Sequence, residues 1–248
     1  MGAAHDSITG FIHPVGCTGR REGAACAKCG VRMLSVCGAL EEGELAKLES
    51  LSHSATFEPK STLFSQDDSA DSVFNITEGM VRLYRLLPDG RRQIVGFAMA
   101  GDFLGLALLD HYGVSADAIT QVVACRFVRR QFSAFVDEKP HLLRRLHEFA
   151  SHELSLAQDQ MVLLGRRSAE ERVAAFILQM RDRRRRLGHT SVTLPLPMSR
   201  QDMADYLGLT IETVSRTLTK LAKDKLILVV PDGLRLLEAN ALEALVSG

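Results

Sequence analysis

The sequence predicts an α+β chain: a β-roll of the jelly-roll type, one long helix and a winged helix-turn-helix. Three observations predict it. Short β-rich runs punctuated by Gly and Asp fill the stretch from about residue 56 to 136. Apolar residues then recur at steps of three and four from Leu143 to Leu164. The last third reads helix, tight Gly turn, helix, hairpin. The boundaries that follow are a cysteine-bearing arm with a short helix over 1–51, the β-roll over 52–139, the long helix over 140–165 and the winged domain over 166–248.

Residues 1–38 carry Gly, Cys and basic residues without periodicity and read as an irregular arm. EEGELAKLESL follows, with Leu45, Leu48 and Leu51 at helical spacing. The runs TLF, SVFNI, MVRLYRLL, QIVGFAM and ITQVVACRFV are strands, and Pro88–Gly90 turns a hairpin between two of them. Pro140 suits the first turn of the long helix, whose stripe is Leu143, Leu146, Ala150, Leu154, Ala157, Met161 and Leu164. Such a stripe is a dimer seam or the buried side of a helix within one domain. Gly165 is read as its end. Ser168 and Glu171 form a capping box for the next helix. Ser199 caps a further helix, Gly208 makes the turn, Thr210 caps the second helix of the pair, and Pro231–Gly233 turns the final hairpin.

Composition excludes more than it selects. Thirty Lys and Arg balance thirty Asp and Glu over 248 residues, so a footprint for a polyanion must be local. No apolar run approaches the ~18–20 residues of a membrane span, and the start lacks the basic and apolar regions of a signal peptide. A cytoplasmic protein without a membrane partner is expected. No Gly-rich phosphate loop, nucleophile elbow or paired-His motif is present, so an enzyme is not expected.

A helix-turn-helix places its second helix in the major groove of DNA. The first turns of that helix offer Glu212, Thr213, Ser215 and Arg216. Arg spans the two acceptors of guanine, and a carboxylate accepts from a cytosine amino group. The alternative is an ordinary helix in which Glu212 and Arg216 pair with each other. Arg183 to Arg186 read either as contacts to the DNA backbone or as a solvated charge run.

Five cysteines occur, and Cys26, Cys29 and Cys37 give C-x2-C-x7-C. Cys125 lies far off in VVACRFV, and Cys17 is the fifth. Four thiolates suit an iron–sulfur cluster or a structural zinc, a C-x2-C pair suits redox chemistry, and Cys125 by itself reads as a core residue. Spacing alone leaves these open. Arg20, Arg21, Lys28 and Arg32 suit either metal, because cations favour thiolates.

AEERVAAFIL, SRQDMADYLGLTIETVSRTLTKL and the pattern of strands resemble the CRP/FNR family of bacterial transcription regulators. The resemblance implies a cyclic-nucleotide-binding-like β-roll that senses an effector, a homodimer, contact with RNA polymerase, and half-sites similar to TTGAT and ATCAA separated by four bases. Its E-x-x-S-R motif falls on Glu212, Ser215 and Arg216. Leu106 stands where a cyclic-nucleotide cassette carries Glu, and no Arg-Ser pair follows, which disfavours cyclic AMP. The cysteines resemble the FNR branch with seven residues between the second and third. That likeness implies a 4Fe–4S cluster on Cys26, Cys29, Cys37 and Cys125 and an oxygen-responsive activator. Haem or zinc in the same fold are the rival readings. Two departures stand out: Ala157 replaces the acidic residue common in the seam, and Arg91 replaces an acid in the Leu86–Arg92 turn that resembles an activating loop.

Overall fold

The computed structural model describes residues 26–106 and 110–247. Cys17, Arg20 and Arg21 lie outside the described residues. After two short 3₁₀ turns, Arg32–Leu34 and Val36–Ala39, the chain forms α1 (Glu42–Leu51). Eight strands follow: β1 (Ser52–Phe57), β2 (Thr62–Phe64), β3 (Ser72–Glu78), β4 (Met80–Leu86), β5 (Arg92–Met99), β6 (Phe103–Leu104), β7 (Ser115–Ala118) and β8 (Val122–Val128). Helices α2 (Arg129–Asp137), α3 (Pro140–Arg166) and α4 (Ala169–Arg186) come next. The last part holds β9 (Thr193–Pro195), α5 (Arg200–Leu207), α6 (Ile211–Lys223), β10 (Ile227–Val230), β11 (Gly233–Leu236) and α7 (Ala239–Ser247).

The expected α+β architecture is borne out. The roll is two four-stranded antiparallel sheets, β1-β8-β3-β6 and β2-β7-β4-β5. Strand alternation sorts side chains between two destinations. Phe74, Ile76, Val122 and Ala124 point into the roll and pack with Phe64, Leu104 and Tyr112. Val73, Cys125 and Phe127 point the other way, into a second core closed by α1, α2 and the start of α3. Phe64 and Tyr112 stack at 4.0 Å, so aromatic rings fill the roll interior.

A third core joins the roll to the C-terminal domain. Met80, Ile94, Phe97 and Met99 of the β4–β5 hairpin pack with α4, α5, α6 and the wing. Phe97 meets Tyr206 at 5.3 Å and Phe176 at 5.9 Å, both edge-on.

Several boundaries differ from the sequence reading. Gly165 does not end the long helix, which runs through it to Arg166. One helical glycine costs about 1 kcal/mol, too little to stop a helix whose Leu163 packs on the third core and whose Leu164 lies against Gly208. Strands β1, β6, β7 and β9 and helices α2 and α7 were not foreseen, being short or weakly patterned. The expected caps are present: Ser168, Ser199 and Thr210 each accept from a backbone amide in the first turn.

Candidate functional site

The cysteine centre is assembled on the outer face of the β1-β8-β3-β6 sheet. Cys125 is buried at mid-β8 and faces outward, where Cys37 also packs, with Cys26 at the edge of the same cluster. Cys37 lies in the second 3₁₀ turn, which Ser35 caps by accepting from the Cys37 amide at 3.2 Å. Arg32 locks that turn by donating to the carbonyl of Leu40 at 2.8 Å. Cys26 and Cys29 are half-buried and tied by a Cys29 N–H to Cys26 carbonyl bond of 3.3 Å. The Cys26 amide also reaches Glu49 of α1 at 3.5 Å.

Burial pushes the Cys37 thiol above its ordinary range, opposed by the Ser35 hydroxyl, reinforced by nearby Cys29 and eased by Arg32. Cys29 is thus within electrostatic reach of Cys37, which shares one cluster with Cys26 and Cys125. Among the described residues no three His, Cys, Asp or Glu stand close enough to hold a single metal ion. Asn75 was missed in the sequence. It is buried on β3, in register opposite Cys125, with its side-chain amide 3.9 Å from Cys37 Sγ. The period of two in SVFNI was the signal: Val73 and Asn75 share the outward face.

The arm reaches beyond the thiols. The turn holding Cys37 packs on α3, and Glu44 of α1 bonds His141 of α3 at 2.9 Å. Met33 and Leu34 line a cleft of about 290 Å³ with Gly101, Phe149, Leu156 and Arg183. Arm, roll, long helix and α4 therefore meet at one place.

On α3, the seam residues Leu143, Ala150, Leu154, Ala157 and Met161 are exposed, with Leu154 at 59% and Met161 at 66%. Leu146 and Leu164 are not on that surface. Leu146 packs into the core beside the cysteines, and Leu164 lies against Gly208. The helical period of 3.6 explains this: residues 143, 150, 154, 157 and 161 cluster within a narrow arc, and positions 146 and 164 rotate out of it.

The C-terminal domain sets α6 on the surface. Gly208 takes the left-handed conformation (φ 61°) that the turn between α5 and α6 requires. In the wing, a Cβ on Gly233 would fall 2.3 Å from the carbonyl oxygen of Leu194, so β9 approaches only a glycine. The left-handed residue of that hairpin is Asp232. Val214, Leu218 and Leu221 are buried, which leaves Glu212, Ser215 and Arg216 exposed and Thr213 half-exposed. Glu212 and Arg216 form no ion pair. Arg216 leans on Thr213 Oγ1 at 3.4 Å, and Thr213 on Thr210 at 3.0 Å. The helix-start amides, then Thr210 and Arg216, hold the Glu212 carboxyl below its ordinary range, so it stays ionised.

Arg183 is not free for DNA. It donates to the carbonyl of Phe97 at 2.6 Å and pairs with Asp102. Arg92, at the end of the Leu86–Arg92 turn, is also taken: it bridges Asp202 and Asp205 of α5, both at 2.7 Å. Leu86, Leu87 and Arg91 remain at the surface, and Arg91 pairs with Asp89.

Comparison with known proteins agrees with this anatomy. Residues 55–139 match the cyclic nucleotide-binding domain family, and residues 171–245 match the Crp-like helix-turn-helix domain family. The transcriptional activatory protein AadR of Rhodopseudomonas palustris is 54% identical over 90% of this chain and 94% of its own length. The chain belongs to the CRP/FNR family. It is a DNA-binding transcription regulator, and its relatives are regulators rather than enzymes. The nitrogen fixation regulation protein FixK of Bradyrhizobium diazoefficiens is 52% identical over 90% of this chain and 94% of its own length. The activator FnrL of Cereibacter sphaeroides is 35% identical over 86% and 90%. The solved structure of FixK2 from Bradyrhizobium japonicum superposes with a TM-score of 0.73 at 35% identity, covering 78% of this chain and 96% of that one. The regulator is thus similar to FixK and AadR proteins more than to FnrL. Among the described residues no helix is long and apolar enough to cross a membrane.

Proposed function

We propose that this regulator is an oxygen-responsive transcriptional activator whose homodimer binds a TTGAT-type inverted repeat when Cys26, Cys29, Cys37 and Cys125 hold a 4Fe–4S cluster. The observation that carries the reading is the convergence of Cys26, Cys37 and Cys125 on one buried cluster although 88 positions separate the last two. The donor set fits: four thiolates are the usual ligands of such a cluster. A lone zinc would need four donors drawn to about 2.3 Å from one ion, and the described residues offer no such preformed seat. When bound, the cluster supplies an iron–sulfur centre that oxygen attacks.

The chain's own residues do the rest. Cys37 sits in the turn that touches α3, so a grip on its sulfur fixes the arm against the base of that helix. Glu44 and His141 extend the same contact. With α3 held, its exposed Leu143, Ala150, Leu154, Ala157 and Met161 pack against a second copy. Two α6 helices then stand about one DNA turn apart. Glu212 and Arg216 read bases, and Thr213 and Ser215 contact bases or phosphates. Ala157 packs more easily than an acid, so the cluster-free protein keeps more dimer than a regulator with an acidic residue there. Cyclic nucleotides have no place in this reading: rings fill the roll interior and Leu106 replaces the cassette acid. The exposed tip of the Leu86–Arg92 turn, with Leu86, Leu87 and Arg91, is the surface offered to RNA polymerase.

Protein purified strictly without air should contain iron and acid-labile sulfide and retard an operator of the stated sequence; air should bleach it and weaken the complex. Full operator binding by protein without iron would end this reading. Size-exclusion after air exposure separates monomerisation from a change within a persistent dimer.

A further inference from the structure

Asn75 is out of place as a core residue. It is 2% exposed and sits among Val73, Phe103, Phe127 and Val36 on the outer face of the sheet. Its register partners are Cys125 on β8 and Phe103 on β6. Directly opposed residues on antiparallel strands hold their Cβ atoms about 4.5–5.5 Å apart, so the carboxamide stands beside Cys125. Its Nδ2 points at Cys37 Sγ from 3.9 Å. Its Oδ1 is buried without a hydrogen-bond partner among the described residues.

A buried amide with an unmet carbonyl costs stability, and an apolar side chain of the same shape would avoid that cost. Packing therefore gives no reason for an amide here. Chemistry gives one. A sulfur that carries negative charge and binds iron needs a donor in an apolar site, and the Asn amide brings two N–H donors and no charge. A sulfur bound to iron also fixes which way the amide faces, since the reverse orientation would set carbonyl oxygen against it.

We propose that Asn75 is a positioning residue of the cysteine centre: its side-chain N–H donates to the Cys37 sulfur and fixes the direction in which that sulfur points. The inference rests on the iron–sulfur reading above. Outer partners of this kind orient ligands, and their loss costs about 10- to 100-fold in metal affinity.

The test uses the full chain, loaded without air, as wild type, Asn75→Leu and Asn75→Asp. Leu keeps the shape without a donor; Asp keeps the shape and adds a repelling charge. Three quantities are measured: iron release to a chelator under anaerobic conditions, the iron–sulfur(cysteine) stretching bands in resonance Raman, and the urea midpoint of cluster-free protein. Iron release should speed up about 10- to 100-fold in both variants, with shifted stretching bands. Cluster-free Asn75→Leu should unfold at the same urea concentration as wild type or higher. Unchanged iron release and unchanged bands in either folded variant overturn the proposal and leave the cluster reading standing. A lowered urea midpoint with normal iron release makes Asn75 a packing residue and also overturns it. Wild type without iron and sulfide removes both readings together.

Discussion

The β-roll presents two covered outer surfaces, and they are closed by different chemistry. The surface of the β4–β5 hairpin is closed by paired charges, although Arg82 Nε is buried without a hydrogen-bond partner among the described residues. Asp202 is buried and accepts from Arg82 at 3.2 Å and Arg92 at 2.7 Å, while Arg82 also holds Asp117 at 2.9 Å. Gln93 donates to the Asp205 carbonyl at 2.6 Å, and both arginines lie over the Tyr84 ring. The surface around Cys125 is closed by apolar packing instead. It holds the Cys37 thiol, pushed toward neutrality by burial, and the Asn75 amide with an unmet oxygen. Paired charges stabilise one arrangement, whereas converging thiols can also take a ligand. The sensor is therefore expected to act through the cysteine surface, with the hairpin as a fixed joint to the DNA-binding domain.

Cys37→Ala breaks the cysteine surface alone. Iron loading should be lost, and operator affinity should fall toward the non-specific level, about 1,000-fold or more, while thermal unfolding of the C-terminal domain stays unchanged. Iron analysis and gel retardation without air check this. A variant that loses iron yet keeps its operator affinity would show that the cysteine surface is not the sensor. Leu154→Glu tests the link from that surface to the dimer. Two leucines leave the seam, each worth about 1.5–2 kcal/mol, so dimer dissociation should rise on the order of 100- to 1,000-fold. Sedimentation of the loaded variant should show monomer with its iron retained.

Asp202→Asn breaks the other surface. It leaves Arg82 and Arg92 facing a neutral amide in a site about one-fifth exposed on their side. Loss of one partner from a buried pair costs 3–5 kcal/mol, and partial solvent access lowers this to about 2–3 kcal/mol. The loss should be the same with and without iron, as read by urea unfolding. Equal sensitivity of iron content would merge the two surfaces into one.

Much of this contrast was visible in the sequence, and the rest was hidden for physical reasons. Caps at Ser168, Ser199 and Thr210 were readable because short polar side chains answer local backbone amides. Glu212, Ser215 and Arg216 were readable because Val214, Leu218 and Leu221 fix which face of α6 is buried. The C-x2-C-x7-C spacing marked a thiol site, yet nothing in it showed that Cys125 faces outward rather than into the roll. One residue of register decides that, and register is a pairing of distant strands. Asn75 was invisible for the same reason. The hairpin surface escaped notice because Arg92 and Asp202 are 110 positions apart and neither belongs to a local motif. Leu146 and Leu164 fit the stripe by spacing yet leave the exposed face, because steps of three and four drift around a helix over 27 residues.

Arg216→Ala sharpens the comparison at the far end of the joint. It touches neither surface, so iron content and urea unfolding should match wild type. Loss of one bidentate base contact should cost about 1–3 kcal/mol of operator affinity and relax preference at one position of each half-site. The smallest expected effect is a pH response confined to the hairpin surface. Burial pushes Asp202 up, but Ser199, Arg82 and Arg92 outweigh it and hold the carboxyl below its ordinary range. A depressed folded pKa contributes stability that is present above the unfolded value of about 3.9 and lost as pH falls through the folded one. Wild type should therefore lose stability below about pH 4 more steeply than Asp202→Asn, with no difference in slope between pH 6 and 8, as followed by urea midpoints across the range. Equal slopes in acid would mean that the Arg82–Asp202–Arg92 contacts contribute nothing to the joint, and the contrast between the two surfaces would rest on the apolar core alone.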